Sequence, residues 1–368
     1  SCKAAAPGSV PIITKLRKIR KRERNTMKPA HQPYLWSLLL LAAALILSVA
    51  AGPVFIPPLT LGRILAAEFP GLHLAANWPE AFATIVFKIR LPHTALIALV
   101  GAALSGSGAA YQGLFRNPLA DPYLIGVASG AGLGAVMAMA VRWPSDWLGL
   151  YTIPIAAFLG AALTVAVVYS IARVGGSLPT TTLILAGVAV SSFATALTSF
   201  LMLRSTSDLH RAIGWLLGGS VMGGWPPVLA ALPYIAIGLG ILLLSGHALN
   251  VLQFGEEQAQ QLGLPAERVK ALLLLAASLA TAAAVAFAGI IGFIGLIVPH
   301  LIRMIWGADY RRLIPLSILG GSSALLLADL LARLVLAPQV LPVGIVTALA
   351  GAPFFLWVLR RSKNQAFW

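Results

Sequence analysis

Cysteine is almost missing from this chain, and charge is scarce. The single cysteine among 368 residues, Cys2, excludes a disulfide framework within the chain and any multi-cysteine metal site. Asp, Glu, Lys and Arg make up only 10% of the residues, against roughly 25% in soluble domains. With 59% hydrophobic residues, that shortfall places the chain in the membrane class. Six histidines are scattered without H-x-x-x-H or H-E-x-x-H spacing, so no zinc enzyme and no metal site are expected. No Gly-Lys pair occurs. The chain therefore lacks the G-x-x-x-x-G-K-[ST] loop that cradles nucleotide phosphates, and it is not expected to hydrolyse ATP. No D-D-x-x-D or comparable carboxylate cluster is present, which argues against a membrane-embedded lipid enzyme.

What is present is apolar sequence in runs near the roughly 20 residues that a bilayer requires. Ten spans are predicted, at about 34–56, 93–113, 123–141, 150–172, 182–203, 225–245, 269–288, 291–306, 314–334 and 342–360. The fold class expected is all-α and polytopic. The domain reading is a disordered basic arm over 1–33, a permease domain over 34–361 and a cytoplasmic tail over 362–368. Residues 1–26 differ in composition from the rest, and Met27 directly precedes KPAHQPYLW. They read either as an added segment or as an extended basic arm.

The net charge of +15 is not a nucleic-acid signal, because residues 1–28 alone hold nine Lys/Arg and one Glu. A basic run beside the first span reads as a topology signal and as contact with anionic lipid. With ten spans, Lys and Arg divide nineteen to seven between the two sides, placing both termini in the cytoplasm.

Four patterns carry structure within and between the spans. Asn117, Pro118, Asp121 and Pro122 form a turn, since proline lacks an N–H donor and forbids a continuous helix. Gly126, Gly130 and Gly134 follow at every fourth residue, a spacing that lets membrane helices approach closely. Residues 57–92 suggest interfacial helices. Between spans five and six, residues 205–219 read as a short helix with Ser207 or Asp208 as N-cap.

The markedly polar segment within the bundle is Gly255, Glu256, Glu257, Gln258, Ala259, Gln260, Gln261, Leu262, Gly263 and Leu264, continuing to Arg268. It reads as two short helices over about 254–268, broken at Gly263–Pro265, with Ala259, Leu262 and Leu264 as an apolar edge. Asp329 is the acid placed within a span, and it sits four residues before Arg333, a spacing for an intrahelical pair. An ion-coupled secondary transporter would need a larger set of midplane ionisable groups.

Arg90-Leu91-Pro92, the Asn117 to Pro122 turn, Gln261-Leu262-Gly263-Leu264, the Gly292 to His300 stretch GFIGLIVPH and Leu341-Pro342-Val343-Gly344 occur in order along the chain. Together they resemble the permease subunits of type II ABC importers, which take up vitamin B12, ferric siderophores and haem. The resemblance spans about residues 34–361. It implies a homodimer in the inner membrane with the pathway on its two-fold axis, working by alternating access. It further implies two copies of a cytoplasmic ATPase subunit holding ATP and magnesium, a soluble substrate-binding protein outside, and no cofactor on this chain.

By the same resemblance, Gly255 to Leu264 seat in a groove of the ATPase. Arg90, His93 and Arg333 would receive acidic residues of the binding protein; snorkelling to headgroups is the structural alternative for the arginines. The family has arginine where this chain has His93, which weakens that contact or makes it pH-dependent. Gly187, Ser191, Thr195, Thr198, Met202 and Leu203 are the expected pathway or gate residues.

Overall fold

A computed structural model of the chain describes residues 31–52, 54–68, 77–141, 151–175, 177–204, 209–219 and 223–362. The basic arm through residue 30, the N-cap expected at Ser207 or Asp208, and residues 363–368 of the tail lie outside the described residues. Among the described residues the structure is helical, with one isolated bridge between Val174 and Ser177.

Helix α1 (Gln32–Ala50) begins within the expected arm and ends six residues before the expected 56. Helices α2 (Pro58–Ala67) and α3 (Glu80–Thr84) supply the short helices expected between the first two spans. Helix α3 runs through a π-helical turn, Ile85–Arg90, into α4 (Leu91–Leu114). Pro92 lies just after that turn; the wider π turn accommodates a ring that would clash with the carbonyl four residues back.

The remaining helices are α5 (Val127–Ala140), α6 (Thr152–Ala172), α7 (Thr180–Arg204) and α8 (Leu209–Leu216). They continue with α9 (Trp225–Leu244), α10 (Gly246–Leu252), α11 (Glu256–Gln261) and α12 (Ala266–Ala288). The series ends with α13 (Ile294–Trp306), α14 (Tyr310–Val335) and α15 (Val343–Ser362).

Among the described residues, seven helical stretches are long and apolar enough to cross a membrane: α1, Glu80–Leu114, α6, α7, α9, α12 and α14. Three expected spans correspond to α5, α13 and α15. Of these, α5 has 14 residues and α13 has 13, too few for a bilayer of roughly 20 residues. Each is shortened by a non-helical entry. Before α5 stand the 3-10 turn Pro122–Ile125 and Gly126, whose φ of 86° is left-handed. Before α13 stand residues 289–292 and Phe293, with φ 71°. Backbone of this kind is tolerated at membrane depth only where protein covers it, and Pro122, Ile125 and Ile291 are buried.

Gly126 thus caps the helix instead of lying within it, a correction to the expected three-glycine stripe in its backbone only, since a Cβ there would meet Thr164 of α6, which Gly130 also meets. Gly130 and Gly134 do form a close contact. A Cβ on Gly134 would overlap the Ala156 carbonyl, and one on Gly130 would overlap the Gly160 carbonyl of α6. Helix α4 is the centre of the bundle. It packs against α9, α12, α13 and α14, and residues 100–113 are buried throughout. Gly101 and Gly108 meet the backbone carbonyls of Gly321 and Gly295, so these small residues serve helix approach.

Candidate functional site

Helix α4 spans ~35 Å from Leu91 to Leu114, at 1.5 Å per residue. A distinct polar constellation stands at each of its ends.

At the Gly113 end lies the segment between α9 and α12. Helix α11 starts after Gly255 (φ 111°) and stops at Gly263 (φ 84°). The stop is a Schellman motif: Leu264 N–H donates to Ala259 O and Gly263 N–H to Gln260 O, both at 2.9 Å. Glu256 and Glu257 fill the first turn, where acids favour a helix. The segment expected to hold two short helices holds one, α11, and the other short helix, α10, precedes it. Ala266 to Arg268, expected within the second short helix, instead form the first turn of α12, because Gly263–Pro265 separate α11 from a long helix.

The expected apolar edge divides. Ala259 is buried and Leu264 half-buried, holding α11 to the bundle, whereas Leu262 is 69% exposed. Phe254, not singled out in the sequence, is 70% exposed. Phe254 and Leu262 therefore flank a surface that also carries exposed Glu257, Gln258, Gln260 and Gln261.

This segment is fastened to three helices. Asn250 Nδ2 donates to Asp309 Oδ1 at 2.6 Å, and Asn250 Oδ1 accepts from Tyr310 N at 2.9 Å. Asp309 is the N-cap of α14, so Asn250 grips the start of that helix twice. Gln253 Nε2 donates to Gly113 O of α4 at 2.9 Å. Lys270 of α12 pairs with Glu256 at 3.0 Å. Behind these contacts, Arg303 Nη2 donates to Tyr310 Oη at 2.8 Å and to Gln112 Oε1 at 3.3 Å.

The Asn117 to Pro122 turn begins in this same region. Asn117 Oδ1 accepts from Leu119 N and Asp121 Oδ1 from Tyr123 N, at 2.9 and 2.8 Å. These Asx caps fix the turn locally. Burial pushes the Asp121 carboxyl up to about 6, although the Tyr123 N–H opposes that shift.

At the opposite end of α4, Arg90 and Arg333 are 7% and 9% exposed. Arg90 donates to Val49 O and Ala50 O at 2.8 and 3.0 Å, and also to Val54 O. Arg333 donates to Ser48 O and Ala51 O at 3.2 Å and to Ser48 Oγ at 2.9 Å. Both guanidiniums thus satisfy the free carbonyls at the C-terminus of α1, the negative end of its dipole. That geometry differs from exposed docking cations and from snorkelling, because the donors turn inward.

Asp329 is the hub beside them. Its Oδ2 takes Arg333 Nε and its Oδ1 meets His93 Nε2, each at 2.9 Å. The intrahelical Asp329–Arg333 pair is present as its spacing predicted, and His93 joins from α4. His93 is half-buried and, with Asp329 and Arg211, lines a cavity of about 330 Å³ that also meets Trp215 and Leu341.

The residues expected to line a pathway straddle the edge of the packed face of α7. Gly187 and Thr198 are buried, Ser191 and Met202 half-buried, and Thr195 and Leu203 exposed. Gly187 faces the Leu124 carbonyl so closely that a Cβ would overlap it. Among its exposed hydroxyls, Ser192, Thr195 and Ser199 are set along one stripe by helical spacing. Ser192 and Ser199 donate to their own helix, at Val188 O and Thr195 O, 2.9 and 3.0 Å. Ser192 was visible in the sequence as part of a weakly polar face of this span; Ser199 was not singled out there, although its spacing with Ser192 and Thr195 was legible.

Comparison with known proteins agrees with this architecture. The cobalamin import system permease protein BtuC of Halobacterium salinarum is 46% identical over 318 residues, covering 86% of this chain and 83% of that protein. The hemin transport system permease protein HmuU of Yersinia pestis is 42% identical over 290 residues, covering 78% and 86%. A solved inward-facing metal-chelate type ABC transporter superposes with a TM-score of 0.76 at 30% identity, over 89% of this chain and 98% of that one. Residues 40–361 match the FecCD transport family. The chain is a multi-pass ABC transporter permease subunit and belongs to the FecCD transport family.

Proposed function

We propose that this chain forms the membrane pathway of an ATP-driven importer for a metal chelate, of the corrinoid, haem or ferric siderophore class. It works as a homodimer by alternating access in the inner membrane, with both termini cytoplasmic. Two copies of a separate ATPase subunit, holding ATP and magnesium, seat on α10 and α11, and a soluble binding protein delivers substrate to the opposite face. No covalent chemistry and no cofactor are assigned to this chain.

The observation that carries the reading is the α10–α11 surface. Polar helix positions, a glycine stop and two exposed apolar side chains make a helix-in-groove ligand, and its inner side is fastened to α4, α12 and α14. A load applied there reaches the long helices directly. The Ser192–Thr195–Ser199 stripe supports a pathway between two copies, because small hydroxyls, with those of Ser192 and Ser199 bonded to their own backbone, give a polar wall without strong sites for the cargo. At the far face, Arg90 and Arg333 brace the docking surface from beneath, and His93 is the member of that trio with the more open position.

The topology is tested by Gln258→Cys in intact cells with Cys2 replaced. A membrane-impermeant thiol reagent should leave residue 258 unlabelled until the cells are opened. Labelling from outside would overturn the orientation.

A further inference from the structure

Lys270 occupies an unusual position for a lysine. It is 6% exposed, in the first turns of α12, and its ammonium stands between two carboxylates, Glu256 Oε2 at 3.0 Å and Glu267 Oε1 at 2.9 Å. Glu256 opens α11. Glu267 lies three residues before Lys270, and its second oxygen, Oε2, accepts the Leu178 N–H at 2.9 Å. Leu178 belongs to the short connection between α6 and α7, where Val174 and Ser177 exchange backbone hydrogen bonds at 3.1 and 3.0 Å. A continuous polar chain therefore runs from α11, through α12, to the loop that leads into α7.

Stabilising the start of α12 would need only the Glu267–Lys270 pair on one helix. Glu256 and Leu178 lie on two other elements, and Lys270 and Glu267 join them. A buried ammonium that loses one of its carboxylates is costly, so α11 cannot move from α12 without a penalty. Nor can the loop move without leaving the Leu178 N–H to find another acceptor.

We propose that Glu256, Lys270 and Glu267 are positioning residues that make the backbone at Leu178, and with it the entry to α7, follow α11. This inference rests on the reading of α10–α11 as the ATPase-coupling surface. It adds the route by which a push on that surface reaches the helix carrying Thr195.

The test uses the full permease assembled with its ATPase and binding protein in proteoliposomes, with Cys2→Ser and a spin label at Val174→Cys, a 58% exposed position. With the relay intact, ATP should change the label spectrum. Lys270→Met should keep ATP hydrolysis while losing transport per ATP and the ATP-dependent spectral change; Lys270→Arg should retain both. Should Lys270→Met fail to assemble, Glu256→Gln, at the exposed end of the relay, must weaken the spectral response. An unchanged response in Glu256→Gln or Lys270→Met overturns the relay. If ATPase binds and drives transport through another surface, so that α11 substitutions have no effect, the coupling reading falls and the relay falls with it.

Discussion

Asp329 accepts Arg333 Nε at 2.9 Å from one turn earlier on α14, with both side chains buried. Arg333 spends its other donors on Ser48 and Ala51. The pair thereby ties the end of α1, whose contacts with the bundle run mainly through α14, to the structure.

Removing one partner should be worse than removing both. Asp329→Leu leaves a buried guanidinium uncompensated and should cost about 3–5 kcal/mol. The double variant Asp329→Leu/Arg333→Met should recover part of that loss. Thermal unfolding of the purified permease in detergent measures both; additive losses would contradict the coupling between the two side chains.

Asp121 should make stability depend on pH. Its carboxyl is raised from 3.8 to about 6 in the folded chain, so between those values the folded state holds more protons than the unfolded one. Stability is then fully present below about pH 4 and falls as pH rises through about 6. Asp121→Asn keeps an acceptor for Tyr123 N–H without the charge. It should be more stable at pH 7, by on the order of 1–2 kcal/mol, and flatter between pH 4 and 6. Unfolding curves across that range check it, and equal pH slopes would refute it.

The α5–α6 contact should tolerate no added carbon at Gly134. Gly134→Ala forces a methyl against the Ala156 carbonyl and should cost about 1–3 kcal/mol. At Gly132 the nearest atoms are side-chain ends of Leu216 and Ile290, at 3.1 and 3.7 Å. Gly132→Ala should therefore be near neutral, helped by the better helix propensity of alanine. Matching losses in the two variants would mean that the close approach is not what the glycine serves.

Hydropathy made the long helices legible, and the proline turn and the polar segment around α11 stood out because their composition interrupts the apolar runs. The lengths of α5 and α13 were not legible. Residues 123–126 and 291–293 belong to apolar stretches, and only their backbone conformations remove them from the helices. The destinations of Arg90 and Arg333 were hidden for a different reason. Their acceptors are backbone carbonyls at the end of α1 and just after it, 36 to 41 and 282 to 285 residues away, and carbonyls carry no sequence signal. Lys270 read as an ordinary cytoplasmic cation, since its burial depends on how α11 folds back over α12.

The central claim is that α10 and α11 transmit the work of a separate ATPase. Its most direct measurement is chelate uptake by proteoliposomes holding the permease, its ATPase and its binding protein, with Gln261→Asp/Leu262→Asp compared against the unaltered chain. Both positions are exposed, so the substitutions leave the bundle intact. The account predicts normal insertion and dimerisation with ATP-driven uptake abolished; uptake at the unaltered rate would contradict it.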